Sequence, residues 1–172
     1  MKSIALALLA AIGLSLPALA GEQYTDHTGF AVSGYDVVAY RGLTQSPVGT
    51  PQPEGIPGHK DITADYNGAT FAFVSEENRD LFLSDPAKYA PQYDGHCAYG
   101  VSKGGKVPGN PNLWRIVDDK LYLNITKNVV GFWEEDIPGN IDLAEGNWPE
   151  IEPSDASGNP IPNFTSAAPI GD

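Results

Sequence analysis

Cys97 is the residue of this sequence best suited to soft-metal or redox chemistry, and His96 precedes it directly. A thiol binds a metal or attacks an electrophile as the thiolate, whose formation a helix N-terminus or a nearby cation favours. Cys97 follows Gly95 at the start of a short helical pattern, and Lys103 and Lys106 lie downstream. The alternative is a buried cysteine that packs as a small apolar residue. The local sequence leaves both interpretations open.

Histidine and thiolate are ligands that suit copper and zinc, so Cys97 and His96 form a candidate metal site, with His59 as a third ligand. The sequence has no second cysteine and no H-x₃-H pair, which argues against a closed structural zinc site. A redox-active thiol at Cys97 is the other chemical use of the same residue. Tyr99 and Ser102 are candidates to position the thiol by hydrogen bonding.

The first twenty residues have the three-part layout of a secretory signal. Lys2 gives a positive start, residues 4–16 are almost wholly apolar, and residues 18–20 form a small-x-small cleavage site. We therefore expect cleavage after Ala20, a periplasmic mature chain, and no membrane anchor after cleavage. The formal charge of −12 excludes nucleic acid as a partner, since nucleic-acid binding needs basic patches. A metal ion or a periplasmic protein is the expected partner.

The chain after the predicted signal (residues 1–20) has the length of one domain. We interpret residues 21–33 as a lead-in, residues 34–149 as the domain and residues 150–172 as a flexible Pro-rich tail. A single cysteine excludes an internal disulfide, so the fold depends on an apolar core. Eight Tyr, six Phe and three Trp are available for that core.

Two hairpin patterns predict the strands. Residues 62–66 and 69–74 flank Asn67-Gly68, a pair that favours a tight turn with positive φ. Residues 113–117 and 121–123 flank an Asp-Asp pair in the same way. Earlier in the chain, residues 37–40 are apolar and partly β-branched, which predicts a further strand or extended segment.

Two short helices are predicted after the first hairpin. Ser75 is expected to cap a helix over residues 76–83, in which Leu81 and Phe82 should face the core. Asp85 and Pro86 then begin another short helix, with the aspartate as its cap and the proline at its first position.

Helical patterns also occur in the second half of the domain. Residues 97–102 predict one helical turn, and an apolar stripe at spacings of three or four predicts a helix between residues 129 and 148. Pro138 and Gly139 should split that helix into two. Together these elements predict an α+β fold, a small mainly antiparallel sheet with short helices packed on it.

The chain resembles the exported YHS-domain proteins of bacteria. The resembling segments run in order through most of the predicted domain and are residues 34–40, 66–73, 75, 77–79, 82, 85–93, 95–102, 114–117, 121–124 and 147–149. In some relatives the residue matching Cys97 is selenocysteine, so the resemblance implies redox or soft-metal work at this position. It also implies the α+β core of a YHS domain.

The metal-binding thiol pair of other YHS domains is missing from this sequence. In those domains the resemblance places two cysteines in a Tyr-Phe-Cys-Ser-x-x-Cys-like segment. Val74 and Asn78 stand at these positions here, so metal binding cannot be transferred to them. A metal site in this chain would have to use Cys97 and nearby histidines.

Two functional hypotheses follow from these patterns. In the first, an exported accessory protein binds a soft or transition metal ion, copper or zinc, through Cys97, or uses Cys97 as a redox-active thiol. His96 would then act as a second ligand or as a base. In the second, the protein is a non-catalytic binding module with Cys97 in its core and an aromatic interaction surface. No nucleophile and base have the pattern of a conventional enzyme.

Overall fold

The computed structural model describes residues 21–171, in which two β-hairpins and five helices pack around two apolar clusters. The first hairpin pairs β1 (His59–Tyr66) with β2 (Ala69–Phe73), and the second pairs β3 (Asn110–Val117) with β4 (Lys120–Asn124). The helices are α1 (Glu76–Ser84), α2 (Pro86–Tyr89), α3 (Ala98–Ser102), α4 (Lys127–Glu134) and α5 (Ile137–Ile151). This is the α+β fold that the sequence predicts.

Both hairpins turn where the sequence predicts. Asn67 and Gly68 have φ values of +47° and +77°, and Asp118 and Asp119 have +49° and +60°. Positive φ at both central residues matches the right-handed twist of the flanking strands. The strands form two separate two-stranded antiparallel sheets within the described residues, and not one sheet.

The predicted caps of the first two helices are confirmed, but one of the two residues predicted to face the core is exposed. The side chains of Ser75 and Asp85 accept hydrogen bonds from backbone N–H groups at the start of α1 and α2. Phe82 is fully buried, whereas the side chain of Leu81 is exposed, with 48% of its surface accessible. Adjacent residues of a helix point about 100° apart, so a narrow helix–sheet contact buries only one of the two.

The long apolar stripe is split one turn earlier than predicted. α4 ends at Glu134, and Asp136 caps α5 through a hydrogen bond from the Gly139 N–H to its Oδ1 (3.0 Å). Pro138 lies in the first turn of α5, where a missing N–H is tolerated. The aspartate cap, and not the Pro-Gly pair, therefore sets the break.

Residues 37–40 do not form the predicted strand. The chain makes a 3₁₀ turn over Ala39–Gly42 instead. Oδ1 of Asp36 accepts hydrogen bonds from the N–H groups of Val38 (2.8 Å) and Ala39 (3.1 Å). These side-chain bonds take the donors that a strand would need, which overrides the β-branched composition.

Two apolar clusters hold the hairpins and helices together. In the first, Phe82 of α1 packs on Phe71 and Phe73 of β2, with ring centroids 4.9 Å and 5.1 Å apart. In the second, α3, α4 and α5 cover β4 around Tyr122 and Trp133. The segment that carries Cys97 lies along β4, because Cys97 pairs with Leu123 in a parallel bridge.

Residues 150–171, for which the sequence predicts a flexible tail, lie along the domain. Helix α5 extends to Ile151, and Ile161 and Ala168 are buried. The Ile170 N–H donates to the Gly58 carbonyl (2.7 Å), which places the end of the segment beside β1. Buried small and β-branched residues thus attach a segment whose composition resembles a disordered chain.

The predicted signal, residues 1–20, lies outside the described residues. Among residues 21–171, no helix has the length and apolarity needed to cross a membrane.

Candidate functional site

Cys97 is a fully buried cap of helix α3. Its Sγ accepts a hydrogen bond from the Gly100 N–H (3.3 Å) and donates one to Oδ1 of Asn124 on β4 (3.4 Å). The Tyr99 N–H donates to the same Asn124 oxygen (3.2 Å). A thiol that both donates and accepts is neutral, so this network suits Cys97 as a structural residue.

Burial raises the pKa of the Cys97 thiol. The backbone N–H groups of Gly100, Ile125 and Tyr99 act in the opposite direction, because they stabilise a thiolate. Cys97 lies at a helix start, as the sequence predicts, but the loss of hydration raises the pKa more than the helix N-terminus lowers it. The fully formed site therefore disfavours the thiolate that metal binding or redox attack requires.

His96 is also buried, and the described structure engages both ring nitrogens. Nε2 accepts a hydrogen bond from the Ser157 N–H (3.1 Å), so Nδ1 carries the proton and donates it to the Tyr93 carbonyl (2.9 Å). Burial lowers the pKa of His96 to about 4, and Lys106 contributes in the same direction. The ring is a neutral link between two backbone segments.

The lowered pKa of His96 predicts acid sensitivity. The unfolded chain takes up a proton near the ordinary pKa of 6.5, before the folded chain does near 4, so His96 contributes stability above pH 6.5 that is lost as the pH falls. We expect a loss of about 2–3 kcal/mol between pH 7.5 and 4.5. Urea unfolding at both pH values should show a smaller loss in His96→Gln.

A matched control for this prediction is His27→Gln, because His27 is exposed. This variant should keep the pH dependence of the wild-type protein. Asp94, whose pKa burial raises to about 6, changes stability in the opposite direction, but it is present in all three proteins and cancels in the comparison. An unchanged pH dependence in His96→Gln would contradict the prediction.

The other predicted site residues do not join Cys97. His59 pairs with Phe73 in the first sheet, whereas Cys97 bridges to the second. Tyr99 contributes its backbone N–H to Asn124, and the Ser102 hydroxyl donates to the Tyr99 carbonyl (2.8 Å). Within residues 21–171, no group of three or more His, Cys, Asp or Glu side chains is placed to hold a metal ion.

A buried carboxylate, Asp36, is the most heavily bonded polar side chain of the first core. Its Oδ1 binds the turn that follows it, as described above. Its Oδ2 accepts hydrogen bonds from the Val74 N–H (2.9 Å) and from Nδ2 of Asn78 (2.7 Å). Asp36 thus connects the early turn, the end of β2 and helix α1.

A surface cleft of about 940 Å³ lies between the loop over residues 49–54, strands β3 and β4, helix α4 and the segment around residue 164. Two acidic and two basic side chains line it, so its charges balance in a strongly acidic chain. Most of the other larger lining side chains are aromatic rings and amides, among them Trp114, Trp133, Phe164, Asn110, Asn124 and Asn128.

Two cleft residues connect it to the buried core. Asn124 lines the cleft, and its oxygen accepts hydrogen bonds from Cys97 and Tyr99. Trp133 also lines the cleft, and its Nε1 is buried without a hydrogen-bond partner among the described residues. A buried donor without an acceptor is unfavourable, but Nε1 has almost no accessible surface, so an acceptor reaches it only if the side chains that cover it move.

The family model of the YHS domain matches residues 54–93, which contain β1, β2, α1 and α2. This segment of the chain therefore matches the YHS domain. A search of curated proteins and a search of solved structures found no match. Metal binding is attributed to the YHS domain as a family. Cys97 and His96, however, lie outside the matched residues.

Within the segment that matches the YHS domain, the two residues at the positions where the resemblance places thiols both donate hydrogen bonds to one carboxylate. Val74 and Asn78 both donate to Oδ2 of Asp36. An internal carboxylate therefore joins the end of β2 to α1, as a metal ion would join two cysteines at these positions.

Sequence reasoning missed the cleft and the role of Asp36. The cleft brings together residues from the 49–54 loop, the second hairpin, α4 and the final segment, which are far apart in sequence. Asp36 gave one usable signal, because an aspartate side chain can accept a hydrogen bond from the backbone N–H two residues further along the chain.

Proposed function

We propose that this protein is an exported, non-catalytic binding module in which Cys97 is a structural residue and an uncharged polar ligand binds in the cleft. The export half rests on the signal layout of residues 1–20. The binding half rests mainly on one observation, the buried Nε1 of Trp133, which lacks an acceptor among the described residues. Trp133 is only 1% exposed, so a ligand in the cleft that offers an oxygen would satisfy this donor once the side chains that cover it move apart.

The composition of the cleft favours an uncharged ligand. Glu54 and Glu134 balance Arg115 and Lys127, so the lining attracts neither anions nor cations strongly. Ligand sites combine apolar and aromatic surface with a few polar groups that fix orientation. Phe164, which is partly exposed, provides a ring, and amides such as that of Asn128 provide donors and acceptors. The ligand class is therefore a neutral molecule rich in hydroxyl or amide groups.

Binding in the cleft can be tested by tryptophan fluorescence with neutral probes such as N-acetylglucosamine oligomers and end-blocked dipeptides. Trp114 and Trp133 line the cleft, so a bound probe should change the emission in a saturable way. Trp133→Phe removes the Nε1–H and should weaken binding about fivefold to tenfold, the effect of one hydrogen bond. The readout is the dissociation constant from the titration.

Trp148→Phe is the matched control, because Trp148 packs on Tyr93 and does not line the cleft. This variant should bind the probe as the wild-type protein does. Equal affinity in Trp133→Phe, or the absence of a saturable response to every neutral probe, would overturn the binding proposal.

A structural role for Cys97 predicts weak metal binding and a thiol that is protected in the native protein. We expect the wild-type protein and Cys97→Ser to bind Cu(I), Cu(II) and Zn(II) equally weakly in titrations, because Sγ is buried and bonded to Asn124. Native Cys97 should also resist alkylation that proceeds readily in urea. Tight stoichiometric metal binding that Cys97→Ser abolishes would instead support the hypothesis of a soft-metal site.

A further inference from the structure

Gly21, the residue that follows the predicted cleavage site, is buried against two acidic residues. Its N–H donates to Oε1 of Glu152 (3.2 Å). A Cβ at position 21 would lie 2.4 Å from Oδ2 of Asp94 and 2.7 Å from Cγ of Glu152, so only glycine fits here. The backbone at residue 21 is therefore enclosed between the two side chains.

Asp94 has one unused oxygen at this place. Asp94 is 9% exposed, and its Oδ1 accepts a hydrogen bond from Nε2 of Gln23 (2.7 Å). Oδ2, the atom beside Gly21, is buried and has no partner among the described residues. Burial raises the pKa of Asp94 to about 6, and the nearby Glu152 acts in the same direction.

The nearest lysine does not fill this role. Nζ of Lys106 donates to the backbone carbonyls of Glu152 (3.1 Å) and Ser154 (2.6 Å), not to a carboxylate. Its charge lowers the pKa of Asp94, but less than burial raises it. The surroundings of Gly21 thus contain two carboxylates, and one of their oxygens, Oδ2 of Asp94, is an acceptor without a partner among the described residues.

We propose that Asp94 and Glu152 form a binding site for the protein's own N-terminal ammonium group, which signal cleavage creates at Gly21. In this step a signal peptidase hydrolyses the Ala20–Gly21 peptide bond with one water. The C–N bond breaks, the hydroxyl goes to the Ala20 carbonyl carbon, and Gly21 leaves as an amine that takes up a proton. This inference rests on the export half of the proposed function.

Cleavage changes the hydrogen-bonding capacity of the Gly21 nitrogen. A peptide N–H donates one hydrogen bond, whereas an ammonium has three N–H donors and a full positive charge. One donor keeps the bond to Glu152, and another becomes available to Oδ2 of Asp94. The mature N-terminus would thereby link the lead-in to the residue after α5 and to the turn before His96.

The test compares the processed wild-type protein with a variant that carries Ser-Gln inserted between Ala20 and Gly21, because glutamine before Gly21 avoids a second small-x-small cleavage site. Both are purified after export, and mass spectrometry confirms where each chain starts. The insertion keeps Gly21 and the total charge but moves the ammonium away from the site. We expect its folding equilibrium constant, measured by urea unfolding, to fall by about tenfold or more.

Two further measurements separate ammonium binding from a general effect of the insertion. In an Asp94→Asn, Glu152→Gln background, the insertion should change the folding equilibrium constant little. In the wild-type protein, NMR titration should give an α-amino pKa above the ordinary range of about 7.7–8.0, and the insertion should return it to that range. The second measurement applies even if the double variant does not fold.

Equal stability of the two processed proteins, together with an ordinary α-amino pKa, would overturn the inference. A mature chain that starts at a residue other than Gly21 would overturn it together with the predicted cleavage site. The titration of the cleft with neutral probes does not depend on this N-terminal site. A failure of ligand binding in the cleft can therefore be distinguished from a failure of the ammonium site.

Discussion

Replacing Asp36 with asparagine is expected to lower the free energy of unfolding by about 3–5 kcal/mol. Asp36 is fully buried, and its two oxygens accept four hydrogen bonds from N–H groups. An amide would place an NH₂ group against two of these donors and leave them unsatisfied. The urea midpoint of Asp36→Asn should fall with little change in the slope of the transition.

Asp65→Asn is the control for this substitution, since it makes the same chemical change at an exposed position of β1. It should change stability by less than about 0.5 kcal/mol. A similarly small effect of Asp36→Asn would mean that the carboxylate does not hold the turn, β2 and α1 together. The replacement of the family's thiol pair by this internal link would then need another explanation.

A second large effect is expected from Glu134→Gln, at the wall of the cleft. The side chains of Arg115 and Glu134 are each only 7% exposed, and Nε and Nη2 of Arg115 both donate to Oε1 of Glu134. Removing the negative charge leaves a buried guanidinium without its counterion. We expect a loss of about 3–5 kcal/mol in the free energy of unfolding, measured by urea denaturation.

The same ion pair also holds the loop beside the cleft. Oε2 of Glu134 accepts a hydrogen bond from the Gly49 N–H (2.8 Å), and Nη1 of Arg115 donates to the Ser46 carbonyl (3.2 Å). Limited proteolysis of Glu134→Gln should therefore cut first near residues 46–50, and ligand binding in the cleft should weaken. The Arg115–Glu134 ion pair therefore also maintains the shape of the proposed binding site.

Glu145→Gln provides the matched control, because Glu145 pairs with Lys120 where both side chains are about half exposed (52% and 48%). Exposed pairs contribute about 0–1 kcal/mol. Replacing both Arg115 and Glu134 by methionine should recover much of the stability lost in Glu134→Gln, since it removes the unpaired charge. Equal effects of Glu134→Gln and Glu145→Gln would contradict a buried role for the pair.

Much of the local structure could be predicted from the sequence. Asn67-Gly68 defines a hairpin because few pairs adopt two positive φ values readily, and Ser75 and Asp85 cap helices because their side chains reach the next N–H groups. These interactions span two to four residues, so sequence alone contains them. The strand predicted over residues 37–40 was wrong for an equally local reason. Asp36 accepts hydrogen bonds from N–H groups of this segment, which a strand would have used for pairing.

The resemblance to YHS-domain proteins was also available from the sequence, and the family match over residues 54–93 confirms it. Order and spacing of short motifs are properties of the chain itself. The absence of thiols at positions 74 and 78 could also be seen in the sequence. The hydrogen bonds to Asp36 that replace them could not be predicted, because Asp36 lies 38 residues before Val74 and its carboxylate reaches the Val74 N–H only in the fold.

The character of Cys97 was decided by the tertiary structure. The sequence determined that this chain has one thiol, placed at a helix start beside a histidine, and that arrangement left a reactive or a structural cysteine open. The fold placed β4 against it, gave its Sγ an acceptor on Asn124, and turned His96 toward Ser157. Burial then raised the pKa of the thiol, because desolvation depends on every segment that covers a group, whereas a helix start depends only on its neighbours.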